Sequence, residues 1–183
     1  MEIKSTNIFG CFEIHVNRFT DLRGDFIKFY DKYFYEKNSL KTNFIEEYFN
    51  ISNINVLRGM HFQYPPFDHE KIVYCSHGKV IDVVLDLRID SSSYGHYHST
   101  VLDLNSFKCI YIPKGVAHGF ISLENASIIN YKVTSEYNSI YDSGILWNSF
   151  SMNWPNSDLI ISDRDKSFVN FNEFNSPFIL NND

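Results

Sequence analysis

The chain has no cysteine pair at metal-binding or redox spacing. Its three cysteines, Cys11, Cys75 and Cys109, are odd in number and far apart. That excludes a disulfide framework and fits thiols kept reduced in a cytoplasm. Positive charge is also scarce: 16 Lys and Arg stand against 22 Asp and Glu, for a net charge of −6. With no basic block, nucleic acid is excluded as the main partner, because duplex binding depends on neutralising phosphates. A small anion held by a few internal cations is still allowed. No apolar run approaches bilayer-spanning length, and residues 1–5 lack the apolar core of a signal segment. These absences predict a cytoplasmic protein with no membrane partner. Internal repeats, linkers and low-complexity segments are missing too, so residues 1–183 read as one domain.

Apolar and aromatic residues are plentiful, at 44% and 17%, enough for a sizeable core. The pattern is mostly β. Residues 8–16 form a β-branched and aromatic segment broken at Gly10, and residues 25–30 alternate. One short helix is predicted over 31–41, capped by Asp31. Further strands are predicted over 44–49, 56–63, 71–76, 79–88, 98–104, 109–112, 119–123 and 128–134. The tail beyond Trp147 reads as loop anchored by Trp154-Pro155, with a short helix over 163–174. Many short strands separated by turns predict an all-β sandwich, barrel or jelly roll.

Two stretches concentrate chemistry. In Arg58-Gly59-Met60-His61-Phe62-Gln63, strict alternation would put Arg58 and His61 on opposite faces. A bulge at Gly59 would bring them onto one side. In Pro113-Lys114-Gly115-Val116-Ala117-His118 a tight turn leads to a histidine at the start of the next strand. The P-x-G-x-x-H spacing is similar to the second half of the cupin pattern. Many cupins hold a metal with three histidines and a glutamate, but His61 has no histidine two residues on. The pair His96 and His98 lies in a Ser/Gly/Tyr-rich turn and reads as exposed and non-ligating. Two histidines without carboxylate ligands make a poor metal site, which favours a metal-free cupin. Lys71 at a strand start is ordinarily a solvated edge. Tyr131 alternates with Ile129 and Val133 and faces inward.

Taken in order, Asp21–Phe26, Val56–Gln63, Lys71–Val73, Gly78–Arg88, Ser91–Gly95, Ile112–Phe120, Tyr131-Lys132, Gly144–Asn148 and Trp154-Pro155 resemble the dTDP-4-dehydrorhamnose 3,5-epimerase family across residues 5 to 166. The resemblance implies a cofactor-free and metal-free jelly-roll cupin (a double-stranded β-helix with a few short helices), usually a homodimer. The implied reaction is epimerisation at C3 and/or C5 of a nucleotide-diphospho 4-keto sugar, for cell-surface carbohydrate. Residue by residue, it implies His61 as general base, Asp165 as the carboxylate orienting it, Tyr131 as the acid on the opposite face and Lys71 beside the O4 enolate. Arg23 and Arg58 match diphosphate contacts, His118 a further active-site histidine, and Phe26 and Gln63 substrate contacts.

The chain departs from the family at Lys28, where the family has Glu, and at Glu46 and Tyr48, where it has Gln and Asn. The family aromatic near the nucleotide base aligns with Glu136, beside Tyr137. A Lys for Glu exchange inverts the hydrogen-bond demand, since lysine only donates. These departures raise a CDP- or GDP-linked substrate as an alternative to dTDP. Two remoter readings are a metal-dependent cupin using His61 and His118, and a non-catalytic sugar-nucleotide-binding cupin.

Overall fold

A computed structural model describes residues 1–155 and 158–180. Thirteen strands lie among the described residues: β1 Glu2–Ser5, β2 Phe12–His15, β3 Arg18–Asp21, β4 Gly24–Ile27, β5 Glu46–Ser52, β6 Leu57–Gln63, β7 Lys71–His77, β8 Lys79–Asp86, β9 Tyr97–Asp103, β10 Lys108–Ile112, β11 Val116–Ser122, β12 Ser127–Val133 and β13 Asp142–Gly144. Two short α-helices, α1 Lys32–Lys37 and α2 Asp163–Lys166, complete the regular elements with two 3₁₀ turns. A six-stranded antiparallel sheet runs β1-β2-β10-β7-β12-β5 and a five-stranded one β13-β6-β11-β8-β9, while β3 and β4 form a separate hairpin. This is the expected all-β jelly roll.

Alternation sorts the side chains into three layers. Val73, Cys75, Val80, Val84, Ile110, Phe120 and Ile129 fill the space between the sheets. Met60, Phe62, Val83, Leu85 and Ala117 face outward from the five-stranded sheet and are covered by Phe174 and Phe178 of the tail. On the outer face of the six-stranded sheet, Ile14, Ile72, Cys109 and Tyr111 pack on Tyr35 of α1. All three cysteines are free and buried.

Several boundaries differ from expectation. The segment 8–16 is not one strand: residues 7–10 turn, with Gly10 at φ +73°, between β1 and β2. The helix expected over 31–41 spans only Lys32–Lys37, although Asp31 does cap it by accepting from the Phe34 amide. The tail helix is reduced to α2 and a 3₁₀ turn at Phe171–Glu173. The strand expected from Gly119 begins at Val116, so His118 sits inside β11 rather than at its start. His98 also lies in a strand, half-buried against Glu13 and Asn7, whereas His96 is exposed as expected. The tail anchor holds: the Trp154 indole N–H donates to the Trp147 carbonyl at 2.9 Å.

Candidate active site

Gly59 makes the bulge. Along β6 and β11, His61 pairs with His118 and Arg58 with Phe120, so two residues of β6 face the single Gly119. Gly59 sits at φ +143°, and a Cβ there would lie 2.6 Å from the Gly119 Cα. The extra residue sends Met60 into the outer layer and turns both Arg58 and His61 inward.

His61 and Arg58 therefore line a cavity of about 440 Å³ between the sheets, shared with Gln63, His118, Lys71, Tyr131, Glu46 and Tyr48. His61 and His118 come from the five-stranded sheet, and Lys71, Tyr131, Glu46 and Tyr48 from the six-stranded sheet that faces it.

Asp165 stands directly behind His61. The Leu57 amide bonds the Ile160 carbonyl, and Val56 bridges Ile160, so the tail returns alongside β6. Ser162 then caps α2 by accepting from the Asp165 amide. His61 Nε2 lies 2.9 Å from Asp165 Oδ1, and the Gly59 amide donates to Asp165 Oδ2 at 3.1 Å. Burial alone would push the Asp165 carboxyl up. The hydrogen bonds from His61 and Gly59 outweigh that and hold it below its ordinary value. A carboxylate can only accept, so Nε2 carries the proton and Nδ1 is the free basic nitrogen. His118 Nε2 is likewise 2.7 Å from the buried Asp82 Oδ2.

Lys71 is not a solvated edge. Its strand lies inside the sheet between β10 and β12, and the residue is only 7% exposed. Burial pulls the ammonium down to about 8, against the opposing pull of Asp142 and Asp82. Tyr131 does face inward; burial pushes its phenol well up, and an N–H donated by Asn50 acts against that. Arg58 Nε donates to Ser52 at 3.1 Å.

Other expected site residues sit differently. Gln63 reaches the cavity, but its amide holds the rim: Nε2 donates to the Phe67 and Glu136 carbonyls and Oε1 accepts from the Asn138 amide. Arg23, Phe26 and Lys28 do not line the cavity of their own chain. Arg23 lies at the tip of the β3–β4 hairpin, its side chain 90% exposed and paired with Asp21. Phe26 is exposed beside Phe19, and Lys28 pairs with Asp31. The aromatic on the cavity wall is Tyr137, not Glu136.

Sequence reasoning missed Asn50, His69, Asp142 and Arg164 on the walls, and Asp82 behind His118. Tyr137 Oη donates to Asp142 Oδ2 at 3.3 Å, and Arg164 bonds the same oxygen at 2.6 Å. Burial, with Lys71 nearby, pulls His69 down to about 3, so that imidazole is neutral at any working pH. The β5 side chains were in reach of alternation once Glu46 and Tyr48 were placed. Nothing local marks the loop residues.

A family model described as dTDP-4-dehydrorhamnose 3,5-epimerase matches residues 5–173. The chain is 35% identical over 168 residues to the dTDP-4-dehydrorhamnose 3,5-epimerase of Methanothermobacter thermautotrophicus, covering 89% of this chain and 90% of that protein. It is 33% identical to the Escherichia coli K12 protein of the same name, covering 94% and 96%. The fold superposes with a TM-score of 0.93 on a dTDP-6-deoxy-D-glucose-3,5-epimerase from Legionella pneumophila solved with dTDP-4-keto-L-rhamnose, at 27% identity over 98% of this chain and 99% of that one.

Proposed function

The chain belongs to the dTDP-4-dehydrorhamnose 3,5-epimerase family, and on that premise we propose that it epimerises a nucleotide-diphospho 4-keto sugar, dTDP-linked as in its relatives, without a metal. The observation that carries this reading is the placement of a histidine–carboxylate pair and a tyrosine on opposite sheets across one cavity. Inversion at carbon needs a base on one face and an acid on the other.

In this mechanism His61 Nδ1 takes the proton from the carbon next to the C4 ketone, and Asp165 stabilises the imidazolium and fixes its orientation. The electron pair moves into the ketone, and the Lys71 ammonium stabilises the O4 enolate in a site shielded from water. Tyr131 then protonates the same carbon from the other side. Arg58, whose planar fork suits phosphate oxygens, binds the diphosphate. His61 and His118 each spend Nε2 on a carboxylate, which fixes the tautomer and the orientation of the ring.

The β3–β4 hairpin supports a homodimer. It is a two-stranded unit set apart from both sheets, and it exposes Phe19, Leu22 and Phe26 together, an apolar cluster suited to a partner surface. We assign Arg23, Phe26 and Lys28 to the partner's cavity. Buried free thiols and the lack, among the described residues, of any helix able to cross a membrane agree with a cytoplasmic enzyme.

Glu46 and Tyr48, which replace the family's Gln and Asn, do line the cavity, so the nucleotide is tested directly. After metal removal, the protein is incubated in deuterated water with 4-keto sugars linked to dTDP, CDP and GDP. Deuterium entering C3 or C5 of the dTDP sugar is the expected result. Incorporation only with CDP or GDP would reassign the nucleotide, and activity lost on chelation and restored by metal would overturn the metal-free mechanism.

A further inference from the structure

We propose that Asn50 is a positioning residue for Tyr131, fixing the direction in which the phenol's proton points. The proposal rests on the reading of Tyr131 as the acid. Asn50 lies on β5, the edge strand that pairs with β12, with Tyr48 opposite Tyr131 and Asn50 opposite Ile129 in the ladder. Asn50 Nδ2 donates to Tyr131 Oη at 3.3 Å. The ring is held on two further sides. Tyr48 stacks on its face, with centroids 4.9 Å apart and planes 17° off parallel. His118 meets it edge-on at 5.8 Å.

A phenol has one proton and two lone pairs. The Asn50 N–H occupies a lone pair, so the phenol's own O–H turns away from β5. Among the described residues no side chain or carbonyl accepts that proton, and the cavity lies in front of it. The hydroxyl is thus held as a donor to whatever fills the cavity. During the step, the O–H bond breaks, the proton forms the new C–H bond, and the enolate collapses to the ketone, leaving a phenolate. The Asn50 N–H then faces a growing negative charge, and a hydrogen bond to an ionised acceptor is roughly twice as strong as a neutral one. Asn50 therefore acts twice, first on direction and then on charge.

The test uses two variants of nearly the same size, with Tyr131→Phe as reference. Asn50→Asp can only accept: it would draw the phenol's proton towards β5 and put a negative charge beside the forming phenolate. Asn50→Leu offers neither donor nor acceptor. Both are assayed by NMR for inversion and, separately, for exchange of the substrate's acidic hydrogen with deuterated water, which His61 performs. The expected result is a fall of tenfold or more in the kcat for inversion with Asn50→Asp and a smaller fall with Asn50→Leu. KM and hydrogen exchange should stay within threefold of the parent. If Asn50→Asp fails to fold, Asn50→Leu decides. Exchange and inversion falling together would reduce Asn50 to a structural role and overturn the proposal. So would unchanged inversion in both variants while Tyr131→Phe loses it. If Tyr131→Phe itself inverts normally, the acid assignment fails, and this proposal with it.

Discussion

Lys71→Met separates what the active site gains from what the fold loses. The ammonium is buried, free of any ion pair among the described residues, and pulled down to about 8 by desolvation. In the unfolded chain it returns to its ordinary 10.5. At pH 7 the amine is protonated in both states. Between about 8 and 10.5 the unfolded chain binds a proton that the folded one has lost, so stability rises with pH across that window. At about 1.4 kcal/mol per pH unit, the protonated lysine costs the folded state about 3 kcal/mol. Methionine fills a similar volume without a charge. Lys71→Met is therefore expected to be about 2–3 kcal/mol more stable at pH 7, roughly 5–10 °C in Tm for a chain of this size. The gain should shrink as pH rises and vanish near 10.5. Activity should fall about 10²–10³-fold, as when a donor to a developing oxyanion is removed. Denaturant titrations at pH 7 and pH 10, at equal protein concentration, give the first quantity and the deuterium assay the second. The parent's own activity should decline as pH rises through about 8. A Lys71→Met protein that is less stable at pH 7, or whose gain is the same at both pH values, would show that the buried ammonium does not burden the fold.

Three further outcomes follow from the same geometry. Asp165→Asn should leave the fold intact but lower kcat about 10²–10⁴-fold, because the amide cannot stabilise the imidazolium; steady-state kinetics at saturating substrate check this. Gly59→Ala should destabilise the chain by more than about 2 kcal/mol, since a Cβ would press to 2.6 Å from the Gly119 Cα at a φ of +143°; chemical denaturation measures it. Arg23→Ala should weaken substrate binding. Mixing it with His61→Ala should restore activity by forming mixed dimers with one intact site, whereas no recovery after co-refolding would show that the hairpin serves its own chain.

What the sequence revealed was local. Alternation placed Ile129, Tyr131 and Val133 inside, and one glycine among apolar residues announced the bulge that turns Arg58 and His61 the same way. The limits were equally physical. A lysine opening a strand reads as an edge, and only the crossing order β10-β7-β12 shows that Lys71 is enclosed. Asp165 reaches His61 over 104 residues because the tail pairs back along β6, a contact no local pattern encodes. Family resemblance points to Asp165, whereas the placement of Asp82, Asp142, Tyr137 and Arg164 depends on tertiary packing. Two-residue alternation stops at the ends of strands, and three of those four lie in the loops, short β13 or α2 beyond β12.

The proposed mechanism stands on a base and an acid acting from opposite sheets across one cavity. The most direct measurement compares His61→Ala with Tyr131→Phe, following solvent deuterium incorporation and inversion in the same NMR time course. His61→Ala should lose both, while Tyr131→Phe should still exchange hydrogen on the His61 face and no longer invert. Inversion retained equally by both variants would contradict it.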